Sequence, residues 1–360
     1  MDCYTDSNKK VPVTILTGFL GSGKTTFLRH ILVEQSERKV AVIQNEFGES
    51  IGIEEAVVMG SGGENSEWLE LPNGCVCCSV RGDLVLTVEG LLERRKDLDN
   101  VIIETTGLAD PGSVAGCFWL DNELESQLFL DSILTIIDAK HIQNHLSGKS
   151  GSGSEARRQI AFGDQIIVNK TDLVTKEYLL SLEKDIKLIN PTASLLYSSY
   201  SKVPVNDVLG VGAFTTSSKP QWLESYGKNT THTHEEKEEK EVLGHQSVVS
   251  TCAICVEERL DEDKLTRWLG GWMWRQEDED DLAKQYGGEI YRVKGVVYTK
   301  ESEFAHWLQG VGTLFEVDET NQPIQNAETP SKIVVIGSSL NEDALNKTFT
   351  EIVTSKEGGD

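Results

Sequence analysis

Basic residues are scarce in this chain: 34 Lys and Arg against 58 Asp and Glu leave a net charge of −24 over 360 residues. A surface that acidic repels phosphate backbones and anionic headgroups, so nucleic acid and membrane are not expected partners. Long apolar runs are also missing, and none approaches the ~20 residues that span a bilayer. The opening MDCYTDSNKK has no apolar segment and carries two acids, so it resembles neither a signal peptide nor an organelle presequence. Cysteine is too sparse and uneven for a disulfide framework, with seven in the chain, three of them crowded between positions 75 and 78. Such crowding points to a reducing compartment and a metal. The expected location is the cytoplasm.

With 38% hydrophobic and 26% charged residues, the chain can bury a core, and its length suits two domains. The runs VPVTILT, KVAVIQN, NVIIETT, SILTIID and QIIVNK are short, β-branched and apolar throughout. Runs of this kind suit strands covered on both faces. The segments between them are long enough for crossover helices, among them TTFLRHILVEQ and DLVLTVEGLLERR. The expected fold class is α/β, a doubly wound, mostly parallel sheet of the P-loop NTPase kind over residues 1–218. Residues 219–244 are polar, charge-dense and poor in aliphatics, which predicts a flexible linker. Residues 245–360 read as β-α-β-β-β-α, a smaller α+β domain.

Gly18-Phe19-Leu20-Gly21-Ser22-Gly23-Lys24-Thr25 matches G-x-x-x-x-G-K-[ST] between a predicted strand and a predicted helix, whose start includes Thr26. Glycines permit the tight turn that aims successive N–H groups at phosphate, and the helix adds its positive end. Lys24 is expected to reach the β- and γ-phosphate oxygens, and the Thr25 hydroxyl to ligate Mg²⁺. Asn169-Lys170-Thr171-Asp172 follows a strand, where a carboxylate at the base edge accepts from both the ring N–H and the amine of guanine. Adenine offers no such donor pair, so Asp172 predicts GTP over ATP, with Asn169 and the Lys170 stem supporting the ring. Glu104 ends a third strand and is a candidate for the Mg²⁺ shell. Turnover should depend most on Lys24 and Glu104, with Glu46 and Glu104 as candidates to orient water.

Gly74-Cys75-Val76-Cys77-Cys78 is the second anchor. Three thiolates this close repel one another, and a soft or borderline cation relieves the repulsion. Zn²⁺ prefers four ligands, so Cys75, Cys77 and Cys78 leave one position open. Their place after the second strand falls among loops that respond to the γ-phosphate in GTPases, so metal and nucleotide are expected to be reciprocally linked.

The stretches VTILTGFLGSGKTT, NEFGE, EWLELPNGCVCCSVRGDL, ETTGLADPGSVA, NKTDL, YRVKG and IGSSL resemble the CobW family of P-loop GTPases, most closely its eukaryotic zinc-regulated GTPase metalloprotein activators. The resemblance implies a GTPase domain followed by a CobW C-terminal domain. It also implies GTP, Mg²⁺ and Zn²⁺ as ligands, and GTP hydrolysis coupled to zinc delivery into a client metalloenzyme. Backbone near Cys78, Ser79 and Arg81 would approach the nucleotide. Gln44 stands where some relatives carry Glu, leaving Glu49 a candidate fourth ligand, and Gly312 replaces a frequent His. The Pro-x-Leu-Val-type docking motif for a methionine aminopeptidase client is not found. Rival readings are delivery of cobalt or another metal, a zinc buffer or sensor with residual GTPase activity, and an ATP-dependent kinase.

Other clusters read as structural. His232, His234 and His245 belong in or beside a solvated linker. Cys252 and Cys255 sit on a strand and point to opposite faces. His141 and His145 form a helix surface pair, and Trp268, Trp272 and Trp274 belong to core or interface.

Overall fold

The structure is a computed structural model that describes residues 10–34, 38–44, 55–59, 66–70, 88, 90–95, 97–105, 111–118, 128–147, 153–215, 249–274, 282–324 and 329–354. The cluster Cys75, Cys77 and Cys78, together with Ser79, Arg81, Glu46, Glu49, the 219–244 linker and His245, lies outside them. The chain forms two compact units. One comprises Met1–Gln143, Gly163–Leu180 and Ser194–Phe214, the other Asn144–Phe162, Ser181–Ala193 and Thr215–Asp360.

The first unit carries the sheet. Its strands are β1 (Val11–Thr17), β2 (Val40–Gln44), β3 (Glu55–Met59), β4 (Ser66–Glu70), β5 (Asn100–Glu104), β6 (Leu128–Asp138), β7 (Gln165–Asn169) and β8 (Ser194–Tyr197). They stand in the order β4-β3-β2-β5-β1-β6-β7-β8. From β2 to β8 every pairing is parallel, while β3 and β4 add an antiparallel edge. β7 is buried along its whole length, as a strand covered on both faces must be. Helices α1 (Lys24–Glu34), α2 (Pro111–Phe118) and α3 (Ile142–Leu146) follow β1, β5 and β6. Phe27 and Ile31 of α1 pack in one cluster with Leu16, Val42, Ile102, Leu134 and Ile167 of the strands. Because β1 lies between β5 and β6, the strand order reverses beside it, and the loop after β1 opens at the carboxyl edge where such sheets bind ligands.

Two further helices, α4 (Gly153–Phe162) and α5 (Lys176–Ile189), flank β7 in the chain. α4 and the second half of α5 nonetheless belong to the second unit. That unit has strands β9 (Val249–Val256), β10 (Glu289–Tyr298), β11 (Phe304–Val311), β12 (Leu314–Pro323) and β13 (Ser331–Ser338). They form an antiparallel sheet in the order β12-β11-β10-β13-β9. Helices α6 (Glu262–Met273), α7 (Leu282–Tyr286) and α8 (Glu342–Phe349) complete it. Asp261 and Asn341 cap α6 and α8 by accepting from the N–H groups of Lys264 and Ala344. Trp268 and Trp272 are buried, and both indole N–H groups donate to the Thr348 hydroxyl at 3.0 and 3.2 Å. α4 is tied to the sheet by Arg292, whose guanidinium donates to the Phe162 carbonyl at 3.2 Å. Arg158 lies over the Tyr291 ring at 4.8 Å and bonds Glu289.

The structure departs from the sequence reading in several elements. The second unit has one more strand than predicted, because FAHWLQGV pairs as β11. His306 and Gly310 interrupt its apolar pattern, yet both are buried. β3, β4 and β8 were also not predicted. Cys252 is buried and Cys255 exposed, on opposite faces as expected. His141 precedes α3 and turns back onto Asp138, so it forms no helix pair with His145. Trp274 is 41% exposed and stacks on Phe315 instead of entering the core. Among the described residues, no helix is long and apolar enough to cross a membrane.

Candidate functional site

The loop from Gly18 to Gly23 owes its path to conformations that only glycine adopts freely. Gly18 and Gly23 have φ of +142° and +115°. A side chain at Gly18 would collide with the Ile136 carbonyl, and one at Gly23 with the Asn169 amide. α1 then begins at Lys24 with no acidic residue in its first turn, which leaves its positive end uncompensated. Among the described residues, the buried Ser22 hydroxyl has no hydrogen-bond partner, nor has that of Thr17 at the end of β1. Thr25 and Thr26 are exposed at the helix start.

Lys24 folds back over this loop, and its ammonium donates to the carbonyls of Gly18 at 2.5 Å and Phe19 at 3.3 Å. Burial pushes its pKa down, and the negative charge of Glu104 partly opposes this. Glu104 ends β5 in register with Leu16 of β1 and Gln44 of β2. Cation, hydroxyl and carboxylate therefore share one edge of the sheet.

Asn169 ends β7 and is 2% exposed. Its amide donates to the Ser22 carbonyl at 2.8 Å and to the Ser201 hydroxyl at 2.9 Å. Its oxygen accepts from the Ser198 hydroxyl and the Ser201 N–H. Two donors and two lone pairs are thus engaged, so Asn169 works as a brace between the glycine loop and the 198–201 turn. Ser201 completes the brace by donating its hydroxyl to the Gly23 carbonyl at 3.0 Å. Thr171 bonds Ser198 through both its N–H and its hydroxyl, and the hydroxyl also meets Ser199. Asp172 is exposed in the turn Thr171–Leu173.

Lys170 has a left-handed backbone, φ +61°, and its ammonium spans the Gly21 carbonyl at 2.7 Å and the Asp138 carboxylate at 2.6 Å. Asp138 also accepts from the Lys140 N–H and the His141 ring. Burial alone would raise its pKa, but the bonds from Lys170 and His141 more than offset this and hold the carboxyl below the usual range. Asp138 and the serines of 198–201 were missed as site residues in the sequence. Their signal was positional, because Asp138 ends one strand and the serines follow another at the carboxyl edge of a parallel sheet. Replacing Asp138 by Asn should raise the dissociation constants of GDP and GTP alike by about 3–10-fold, the loss of one partly buried charge-assisted bond. The GTP-to-ATP preference should stay unchanged, because Asp172, the residue expected to read the base, is untouched. Nucleotide titration measures both, and an altered preference would refute this role.

Among the described residues, no group of His, Cys, Asp and Glu side chains gathers as a metal site. Strand β4 leads to the sheet edge just described. β3 runs antiparallel to β2 and β4 antiparallel to β3, so β4 ends, at Glu70 opposite Glu55, on the side where β2 and β5 end. Cys75 follows Glu70 by five residues.

Comparison with known proteins gives a consistent result. The family model described as CobW/HypB/UreG, nucleotide-binding domain, matches residues 12–197. The model for the cobalamin synthesis protein cobW C-terminal domain matches residues 249–353. The zinc-regulated GTPase metalloprotein activator 1 of Schizosaccharomyces pombe is 33% identical over 92% of this chain and 83% of its own length. Its namesake in Saccharomyces cerevisiae is 31% identical over 94% and 82%. The crystal structure of the Zn(II)-bound YjiA GTPase from Escherichia coli superposes with a TM-score of 0.67 at 25% identity, covering 96% of this chain and 99% of that one.

Proposed function

The chain belongs to the CobW/HypB/UreG family, and from that premise we propose that it is a GTP-hydrolysing zinc metallochaperone, coupling nucleotide state to zinc transfer into a client metalloenzyme. The observation that carries this reading is the shared frame of the site. Asn169 and Lys170 bond directly to the carbonyls of Ser22 and Gly21, so the segment that would read the base is tied to the loop that would hold phosphate. Zinc is the cargo. GTP is the substrate, hydrolysed when water attacks the γ-phosphorus and the bond to the bridging oxygen breaks, releasing GDP and phosphate.

Each residue has a definite task in that reaction. Lys24 exchanges its carbonyl partners for β- and γ-phosphate oxygens, and the glycine-loop N–H groups hold the same charge. The orphaned Ser22 hydroxyl suits an incoming anion. Thr25 and Glu104 are hard oxygen donors that fit Mg²⁺, which when bound neutralises charge on the phosphates. Asp172 reads the guanine edge.

The coupling to zinc rests on chain length. A trans peptide chain extends at most about 3.6 Å per residue, so the five residues from Glu70 to Cys75 can reach at most about 18 Å. Neighbouring strands are about 4.8 Å apart, which sets β5 and Glu104 about 14 Å from β4. Cys75, Cys77 and Cys78, with backbone near Ser79 and Arg81, can therefore approach the γ-phosphate, and the cation and the nucleotide would bias one segment. Calorimetric titration of zinc into nucleotide-free, GDP-filled and GTP-analogue-filled protein tests this. The zinc dissociation constant should differ between the GDP and GTP-analogue forms by about 5-fold or more. The variant with Ser at all three positions should lose high-affinity zinc and keep nucleotide. Equal constants in all three states would sink the coupling.

A further inference from the structure

Left-handed backbone at a residue other than glycine is costly, and it collects where function demands it. Among the described residues only four have it: Lys170, Tyr200, Ser201 and Ser339. The first three meet at the base-reading segment. For Lys170 the gain is visible in its bonds to Gly21 and Asp138. For Ser201, φ +56°, it is visible in the bonds to Asn169 and Gly23. Tyr200, φ +57°, is different. It is 72% exposed, so its ring has given up most of the burial an aromatic side chain normally seeks.

The backbone that carries that ring is tightly held. On one side Ser199 meets the Thr171 hydroxyl at 3.1 Å, next to the base-reading Asp172. On the other, Ser201 is pinned to the amide of Asn169 and to the glycine loop. The turn is closed by the Lys202 N–H donating to the Ser199 carbonyl at 3.3 Å. A strained, exposed aromatic residue is thus held beside the place where a purine must lie. A purine face offers it the contact area that the protein does not.

We infer that Tyr200 is the aromatic wall of the nucleotide pocket, stacking on the purine base while Asp172 reads its edge. This rests on the nucleotide-binding reading above and adds a residue that contributes affinity without choosing the base. Stacking tolerates any purine, because every base has a π-face.

Calorimetry on the full-length chain with GDP, ADP and inorganic tripolyphosphate tests it. Tyr200→Ala should weaken GDP by about 10-fold or more, and Tyr200→Phe should bind like the parent. Tripolyphosphate, which has no base, should bind all forms equally. Tyr200→Gly relieves the left-handed strain, so it should melt at a higher temperature while losing GDP affinity as Ala does. A role in the fold alone could not produce that opposition. The inference is overturned if Ala and Gly variants bind GDP as the parent does. It is equally overturned if they lose tripolyphosphate in proportion, since the effect would then run through the brace to the glycine loop. The preference of the parent for GDP over ADP separately tests the guanine reading. Should ADP win, the same variants measured with ADP still decide the role of Tyr200.

Discussion

Lys24→Ala is expected to lower GTP turnover by about 10²–10³-fold, the usual cost of removing one fixed donor to transition-state charge. The ammonium is well placed for that task. It is nearly buried, at 9% exposure, and is held by two loop carbonyls and the field of Glu104. A phosphate oxygen arriving in the loop brings a full negative charge, a better partner for a desolvated cation than a neutral carbonyl. Alanine leaves the Gly18 and Phe19 carbonyls facing the phosphates with no cation between, so the loss falls on turnover more than on folding. Zinc capture should persist, because on the proposed reading Cys75, Cys77 and Cys78 would bind it through their own thiolates. Single-turnover hydrolysis, with zinc titration on the same sample, measures both. Turnover within a few-fold of the parent would remove Lys24 from the mechanism, and joint loss of zinc and nucleotide would indicate a misfolded chain.

Asp172→Asn should reverse the base preference. A carboxylate accepts from both the ring N–H and the exocyclic amine of guanine, whereas an amide turns one of those acceptors into a donor. GTP should weaken by about 10²-fold or more, because a buried donor on the base is then left facing a donor. Xanthosine triphosphate carries a carbonyl in place of the amine and should bind this variant better than GTP does. Tripolyphosphate should be indifferent to the change. Competition between the two nucleotides on parent and variant reads the result, and an unchanged affinity for GTP would show that another group selects the base.

The two motifs that carry these predictions were legible because each is local. The glycines at 18, 21 and 23 and the following Lys24 fall within one short stretch, and their backbone demands are met within one turn of chain. Asn169 to Asp172 is equally compact, and apolar runs such as QIIVN announce a strand buried on both faces. Strands of mixed composition were harder to see. FAHWLQGV carries a histidine and a glycine that sheet neighbours bury from both sides, and burial of that kind has no signature in the segment itself. SLLY is a short edge strand for the same sheet as β7, too brief to show a period.

The partners of the motif residues belong to another level. Asp138 lies 32 residues before Lys170, and Ser201 lies 178 residues beyond Gly23. These bonds exist because β6, β7 and β8 stand side by side and release their loops at one edge. α4 and the end of α5 precede and follow β7, yet they pack with the second unit, where Arg292 and Thr251 bond them. Residue order alone therefore determined the glycine loop and the parallel character of the first sheet, and it nominates the base-reading tetrapeptide and the cysteine cluster. Tertiary structure alone decided that Asn169 is a brace, that Asp138 positions Lys170, and that Tyr200 is held exposed in the 198–201 turn. Contiguous residues encode the backbone needs of one turn. The meeting of side chains far apart in sequence depends on which strands become neighbours, and that choice is made by the packing of the whole unit.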